Sequence, residues 1–325
     1  MLFISHYKKY FLLFYIALGC FGCFYNTEAS EDLAKQYFCS FQKTTCNNFT
    51  IQPLLGGLSG ARNYYIQHEQ NEYALRILDP NRTPQERLRE IEAYLWANEI
   101  GIGPRIFTTF SDKVLIMEYI EGRKMSQEDA TDPSSYSEII NSIKSLHCSE
   151  KDLGHKETFF DHVRERIEYA QKNMIPLPQE MIQKALLAMD NIEKDVGPQR
   201  YVFCHNDIST GNVLLRKGKY YFIDWGSCSM ADPYQDLGYL SLELEMNDEQ
   251  QRDMLKLYLS KAPSEEEMSH LQYRRLLSFL RIFSSNFVAY EKPCYSSTLY
   301  EQRCKKLDEI VANNGLQDHL WYLDN

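Results

Sequence analysis

Nowhere does this chain concentrate lysine and arginine, and its acidic residues outnumber its basic ones by 45 to 35, a formal charge of -10 over 325 residues. A surface that follows a phosphate backbone needs clustered positive charge, so nucleic acid is not an expected partner. An acidic surface instead attracts cationic small molecules. Zinc-type spacing is also missing. Cys20 and Cys23 form a single C-x-x-C with no second element to complete a tetrahedral site, and no structural metal is indicated. No internal repeat or low-complexity tract is present, and a composition of 44% hydrophobic and 25% charged residues argues against wholesale disorder and collagen-like repeats. At this length the chain can build two lobes with a sizeable core.

The nine cysteines are odd in number and mostly scattered, with Cys204 and Cys228 read as small buried apolar residues. That usage fits a reducing compartment. The N-terminus points the other way. Lys8 and Lys9 precede an apolar run from Tyr10 to about Tyr25, followed by small and polar residues that could end in cleavage after Ala29. Residues 1–30 therefore read as a signal peptide or membrane-anchor leader outside the folded core, with membrane association through residues 8–25.

From about residue 31 the pattern becomes orderly. "FTIQPLLGGLSGARNYYIQHEQNEYALRIL" reads as three strands separated by a glycine-rich turn and a second turn. "TPQERLREIEAYLWANEIG" reads as a helix with Thr83 as N-cap, Pro84 in the first turn, Glu86 completing a capping box, Gly101 as terminator, and an apolar stripe of Leu88, Ile91 and Leu95. A hairpin turning at residues 110–113 follows. These elements make an antiparallel sheet with a packed helix, an N-lobe over residues 31–122. Helical periodicity dominates residues 123–325, the C-lobe, interrupted by short strands near 201–203, 213–215 and 220–223.

Those short strands frame the chemistry. "YVFCHNDISTGNVLL" places His205 and Asp207 two apart and Asn212 five further on, and Asp224 lies twelve beyond Asn212 at the end of the next strand. This spacing is that of a kinase catalytic loop followed by a metal-binding aspartate. Phosphoryl transfer to a hydroxyl needs a carboxylate that orients the alcohol and takes its proton, the role assigned to Asp207, with His205 opening the loop. It also needs Mg²⁺, a hard cation that prefers oxygen ligands, which Asn212 and Asp224 can supply. In the N-lobe, Gly56, Gly57, Ser59 and Gly60 of "GGLSG" can fold over the phosphates of ATP with backbone N–H groups. Arg76 in "YALRIL" is positioned to reach the α- and β-phosphates, and Glu90 on the following helix is its candidate ion-pair partner.

With these residues in hand, the chain resembles the choline/ethanolamine kinases and the related aminoglycoside phosphotransferases. The resemblance rests on "GGLSG", "LRIL", "REIEAYLWANEIGIGPRIF", "IMEYIEG", "SLH", "CHNDISTGNVLL" and "FIDWGSCSMADPYQDLG", in family order from about residue 50 to 240. It implies an α+β, two-lobed, protein-kinase-like fold and a kinase using ATP and Mg²⁺ on a small cationic alcohol such as choline or ethanolamine. By the same resemblance Asp207 is the base, Asn212 and Asp224 bind Mg²⁺, and Met117, Glu118 and Tyr119 border the adenine. Asp236 then buttresses the catalytic loop. Two positions depart from the choline-kinase pattern: Gly60 stands where asparagine is usual, with Asn63 three residues on, and Gly226 stands where glutamate is usual.

Thiamine, an aminoglycoside or a sugar remains open as the acceptor, and so does a nucleotide-binding pseudokinase. An aromatic stripe of Phe279, Phe283, Phe287 and Tyr290 beside Glu291 offers a cation site, against the plainer reading of a packed core stripe. The leader suggests an exported or anchored chain, whereas kinase chemistry needs an ATP-containing compartment such as the cytoplasm. The sequence leaves both open.

Overall fold

The computed structural model describes residues 27–43, 48–54, 60–157, 159–174 and 200–290, together with 182, 183, 186, 189, 190 and 193. The chain divides into two compact units between Glu121 and Gly122.

The first unit is built on a five-stranded antiparallel sheet of order β1-β2-β3-β5-β4. Its strands are β1 (Phe49–Leu54), β2 (Arg62–His68), β3 (Asn71–Ile77), β4 (Ile106–Phe110) and β5 (Val114–Glu118). Side chains alternate across a strand, so one face carries Tyr64, Ile66, Tyr73, Leu75, Val114 and Ile116. That face is closed by helix α1 (Thr27–Gln42), which contributes Ala34 and Phe38 to the same buried cluster. The aromatic rings interlock, with Phe38 5.2 Å from both Phe49 and Tyr73.

The sequence reading did not foresee α1, and it placed residues up to 30 outside the core. Ser30 is instead buried and its hydroxyl lies 2.6 Å from that of Tyr64. Residues 8–25 lie outside the described residues. Among those described, no helix is long and apolar enough to cross a membrane.

Helix α2 (Pro84–Glu99) starts as its sequence dictates. Thr83 caps the helix, the Glu86 carboxylate accepts from the Thr83 backbone N–H at 2.7 Å, and Pro84 occupies the first turn. It ends at Ile100, and Gly101 follows at φ +79°, a conformation that glycine adopts without steric cost. The expected apolar stripe needs correction. Leu88 and Leu95 are 46% and 43% exposed, and the buried face is Glu90, Ile91, Ala93, Tyr94 and Ala97. Hydropathy alone cannot choose this face, because its central residue is a carboxylate buried by its partner.

The second unit is mainly helical. Helices α3 (Pro133–His147), α4 (Phe159–Lys172), α5 (Pro233–Glu243), α6 (Asp248–Leu259) and α7 (Glu265–Tyr290) surround two small sheets. One sheet pairs β6 (Arg123–Lys124), β8 (Val213–Arg216) and β9 (Lys219–Phe222), and the other pairs β7 (Val202–Cys204) with β10 (Ser229–Ala231). Lys217 and Gly218 both have positive φ, the two-residue turn whose twist suits a tight hairpin between β8 and β9.

Helices α5 and α7 approach at Gly238, where an added methyl would lie 2.8 Å from the carbonyl carbon of Arg274 and the amide nitrogen of Arg275. Gly238→Ala is therefore expected to destabilise this unit by about 1–3 kcal/mol, as overpacking does when backbone must move. Urea unfolding followed by tryptophan fluorescence checks this; an unchanged midpoint would mean that the two helices separate freely.

Candidate active site

In the second unit, β7 is wholly buried and delivers the chain into the loop that begins at His205. The loop is held from below by one carboxylate. Asp236, in the first turn of α5 and fully buried, accepts from the His205 N–H at 2.8 Å and from the Asn206 N–H at 2.6 Å. Its Oδ2 also meets His147 Nε2 at 3.0 Å, and His147 Nδ1 lies 3.0 Å from the Tyr258 hydroxyl. The "SLH" and "DPYQDLG" motifs thus converge on one hydrogen-bonded chain that runs from α6 through α3 and α5 to the loop.

His205 is also fully buried. Its Nε2 lies 3.0 Å from the Ile223 carbonyl, its Nδ1 accepts from the Asp207 N–H at 3.2 Å, and its ring centroid is 4.4 Å from that of Trp225. These partners require the neutral ring, with the proton on Nε2. Both ring nitrogens are committed to backbone, so His205 ties the loop to the segment that carries Asp224.

Asn206 follows in a left-handed conformation, φ +65°, uncommon for a residue with a side chain. Its Nδ2 donates to the Ser227 carbonyl at 3.1 Å and to Ser229 Oγ at 2.8 Å. The strained residue is therefore held from several directions, and the next one, Asp207, is turned outward with its side chain 30% exposed.

The Asn212 amide donates to Asp207 Oδ2 at 2.9 Å and to the Asp207 carbonyl at 3.0 Å, which aims Asn212 Oδ1 elsewhere. The β8–β9 ladder extends by one further bond, from the Ile223 N–H to the Asn212 carbonyl at 2.9 Å. Asn212 and Asp224 consequently flank the open end of one hairpin. The strand itself stops at Phe222, two residues before the expected end, because Asp224 takes a left-handed turn at φ +60° into the 3₁₀ turn Trp225–Ser227. Two oxygen-bearing side chains at a hairpin mouth form a donor set suited to a hard divalent cation.

Sequence reasoning missed two residues of α5 that face the Asp207 loop. Burial first, then the charges of Asp207 and Glu243, push the Tyr239 phenol well up, so it keeps its proton. Glu243 Oε2 accepts from the Thr210 N–H at 3.1 Å. The signal was present as the spacing of Asp236, Tyr239 and Glu243, three and four apart on one helix face. A buried trio of His147, Cys204 and Asp236 also has ligand atoms within 4.8 Å of one another. Burial, above all, drives the Cys204 thiol well up, and the Asp236 oxygens are taken by backbone N–H groups, so the trio reads as a hydrogen-bonded network.

In the first unit, β3 alternation places Arg76 on the sheet face opposite α1. Arg76 and Glu90 are 3% and 2% exposed, and Arg76 Nε donates to Glu90 Oε1 at 2.7 Å. Arg76 Nη1 donates to Asn63 Oδ1 at 3.2 Å, and Arg82 Nη1 reaches Glu90 Oε2 at 3.4 Å. Met117 shares that face near the end of β5, Glu118 points to the opposite one, and the ring of Tyr119 lies 4.7 Å from that of Tyr65. Gly60 has φ +74°, and a side chain there would run into the Asp79 carboxylate, which accounts for glycine at this position. Gly56, Gly57 and Ser59 lie outside the described residues. So do the side chains of Phe283, Phe287 and Tyr290, and Glu291 altogether; Phe279 is half-buried on α7.

Asp236 carries a pH dependence. Burial alone would raise its pKa, but the hydrogen bond and charge of His147, with His205 and its N–H, hold it below the ordinary aspartate value of 3.8. A depressed folded-state value contributes stability above the unfolded pKa and loses it as pH falls through the folded one. Asp236→Asn should therefore flatten the acid limb of a stability curve measured by urea titration below about pH 4.5. An acid limb of unchanged steepness would remove Asp236 as its source.

Comparison with known proteins agrees with this geometry. A solved choline/ethanolamine kinase family protein from Mesorhizobium loti superposes with a TM-score of 0.72 over 89% of this chain and 97% of that one, at 20% identity. Choline kinase LicA from Streptococcus pneumoniae gives 0.69 over 88% and 99%, at 18% identity. These likenesses establish the α+β, protein-kinase-like fold. A LicA homolog from Mycoplasma capricolum is 30% identical over 148 residues, 45% of this chain and 58% of that protein, so the match spans less than two thirds of its length. The family model described as "Phosphotransferase enzyme family" matches residues 50–271, which include Arg76, Glu90, Asp207, Asn212, Asp224 and Asp236, and the chain belongs to that family.

Proposed function

We propose that the protein transfers the γ-phosphoryl group of ATP to the hydroxyl of a small amino alcohol, choline or ethanolamine, in the presence of Mg²⁺. The observation that carries this reading is the outward-turned Asp207, its carboxylate held by Asn212 at the mouth of the hairpin that also bears Asp224. Asp207 accepts the proton of the acceptor hydroxyl as that oxygen bonds to the γ-phosphorus, and the bond to the β,γ-bridging oxygen breaks to leave ADP. Asn212 fixes the rotamer of Asp207. In this reading His205 is a positioning residue, because both of its ring nitrogens are engaged with backbone.

Mg²⁺ would be held by Asn212 Oδ1 and the Asp224 carboxylate, and when bound it neutralises charge on the phosphates. Arg76, braced by Glu90, serves the nucleotide phosphates, and Met117 to Tyr119 serve the adenine. A buried ion pair adds little net stability, so such a pair deep in a small sheet is better explained by the precise placement of a guanidinium. The amino-alcohol acceptor is supported by the acidic chain and by the choline and ethanolamine kinases among its similar proteins. The reading calls for an ATP-containing compartment such as the cytoplasm.

Three experiments check it. A coupled ADP-release assay with choline, ethanolamine, thiamine, aminoglycosides and neutral sugars is expected to show stimulation by the amino alcohols first. Stimulation by a sugar and by no amine would overturn the acceptor, and nucleotide binding with no turnover on any acceptor would overturn catalysis. Asp207→Asn should keep nucleotide affinity and lower kcat by about a hundredfold or more, the scale of a positioned base. Arg76→Ala should weaken ATP binding in calorimetry, with Arg76→Lys recovering part of the loss because a point charge replaces a planar fork.

A further inference from the structure

The two loops that carry Asp207 and Asp224 share one more partner. Arg281, far along α7, is nearly buried, and its guanidinium reaches both loops at once. Nη1 donates to the carbonyl of Asn206, and Nη2 donates to Ser227 Oγ at 2.9 Å. Nη1 also lies 4.0 Å from Asp207 Oδ1. The planar group is steadied by aromatic rings, with its central carbon 4.7 Å from the Phe159 centroid on α4 and 5.9 Å from that of Tyr239 on α5. Its own backbone carbonyl accepts from Arg166 Nη1 at 3.0 Å, which ties this turn of α7 to α4.

From this arrangement we infer that Arg281 is a positioning residue that clamps the base loop to the loop of the metal-binding aspartate. The inference rests on the roles given above to Asp207 and Asp224. Asn206 is in the left-handed region with its N–H on Asp236, and Asp207 leaves it in whatever direction its carbonyl allows. Fixing that carbonyl fixes the peptide plane from which Asp207 departs. Ser227 lies three residues after Asp224, so the second arm of the fork sets the other loop. An arginine does this better than any other side chain. Its donors are coplanar and rigidly spaced, so two acceptors bonded to one guanidinium are held at a set separation, whereas a lysine ammonium fixes neither direction nor plane. Its aromatic neighbours hold the plane of the fork.

The position also explains why α7 is long. The helix packs on α5 at Gly238, where Arg274 approaches, and pairs there with Asp232 through Arg274 Nη2 at 3.0 Å and His270 Nε2 at 2.9 Å. Arg281 stands two turns beyond that anchor, so the helix carries a fixed support to the loops.

The test compares Arg281→Ala and Arg281→Lys with the unaltered full chain by two independent readouts. In steady-state kinetics, kcat should fall by about ten- to a hundredfold in Arg281→Ala, the scale of a small misplacement of reacting groups, with KM for ATP and acceptor nearly unchanged. In hydrogen–deuterium exchange, peptides covering residues 205–209 and 225–229 should exchange about tenfold faster while those of α3 and α6 keep their protection. Millimolar guanidinium should restore part of both in Arg281→Ala, and Arg281→Lys should be intermediate. Unchanged exchange at both loops would overturn the clamp. So would a uniform rise in exchange over the whole unit that guanidinium does not reverse, the mark of a merely structural residue. If the unaltered protein turns over no acceptor, the catalytic reading fails by itself, and the exchange data still decide the clamp.

Discussion

Two backbone N–H groups in succession point at one carboxylate, and the geometry of the site follows from that. Asp236 receives His205 and Asn206 side by side, which forces a tight bend where β7 ends. A buried carboxylate survives only if its lone pairs are used, so His147 and Tyr258 are drawn in behind it and three helices become committed to one loop. The bend places Asn206 in the left-handed region and sends Asp207 outward. Without Asp236 the two amides would be buried without acceptors, and the bend that turns Asp207 outward would lose its anchor.

The hairpin of β8 and β9 solves a different problem, that of bringing together two oxygen-bearing side chains twelve residues apart. Its two-residue turn fixes the register, and the last ladder bond lies at Asn212 and Ile223. The distance between the two oxygen-bearing side chains is then set by backbone hydrogen bonding.

Much of this was legible because the signals were local. Spacing drew Asp207, Asn212 and Asp224 into one loop and hairpin, as the structure has them, and capping chemistry marked the start of α2. The signals that failed were those in which a tertiary partner overrides hydropathy. The pairing of Glu90 with Arg76 was anticipated, but its consequence was not: the burial of Glu90 turns α2 so that Leu88 and Leu95 face outward. Helix α1 lay hidden because the apolar run before it drew attention, and its own apolar residues match a helix only when the sheet face they cover is known. Arg281 was invisible for a related reason. The partners of its guanidinium, Asn206 and Ser227, lie 54 or more residues away in the chain, and nothing in the local pattern of α7 marks one arginine from the others.

Helix α1 also bears on how the protein can be shortened. Tyr64, Ile66, Tyr73 and Leu75 form a continuous apolar face that α1 closes with Ala34 and Phe38. A chain begun after residue 43 would present that face to water as a flat aromatic sheet surface, the kind that associates with copies of itself. A truncation meant only to remove the apolar run must therefore stop short of Thr27, and the recovery of soluble monomer as a function of starting residue would drop sharply once the cut enters the helix rather than decline gradually along the residues before it.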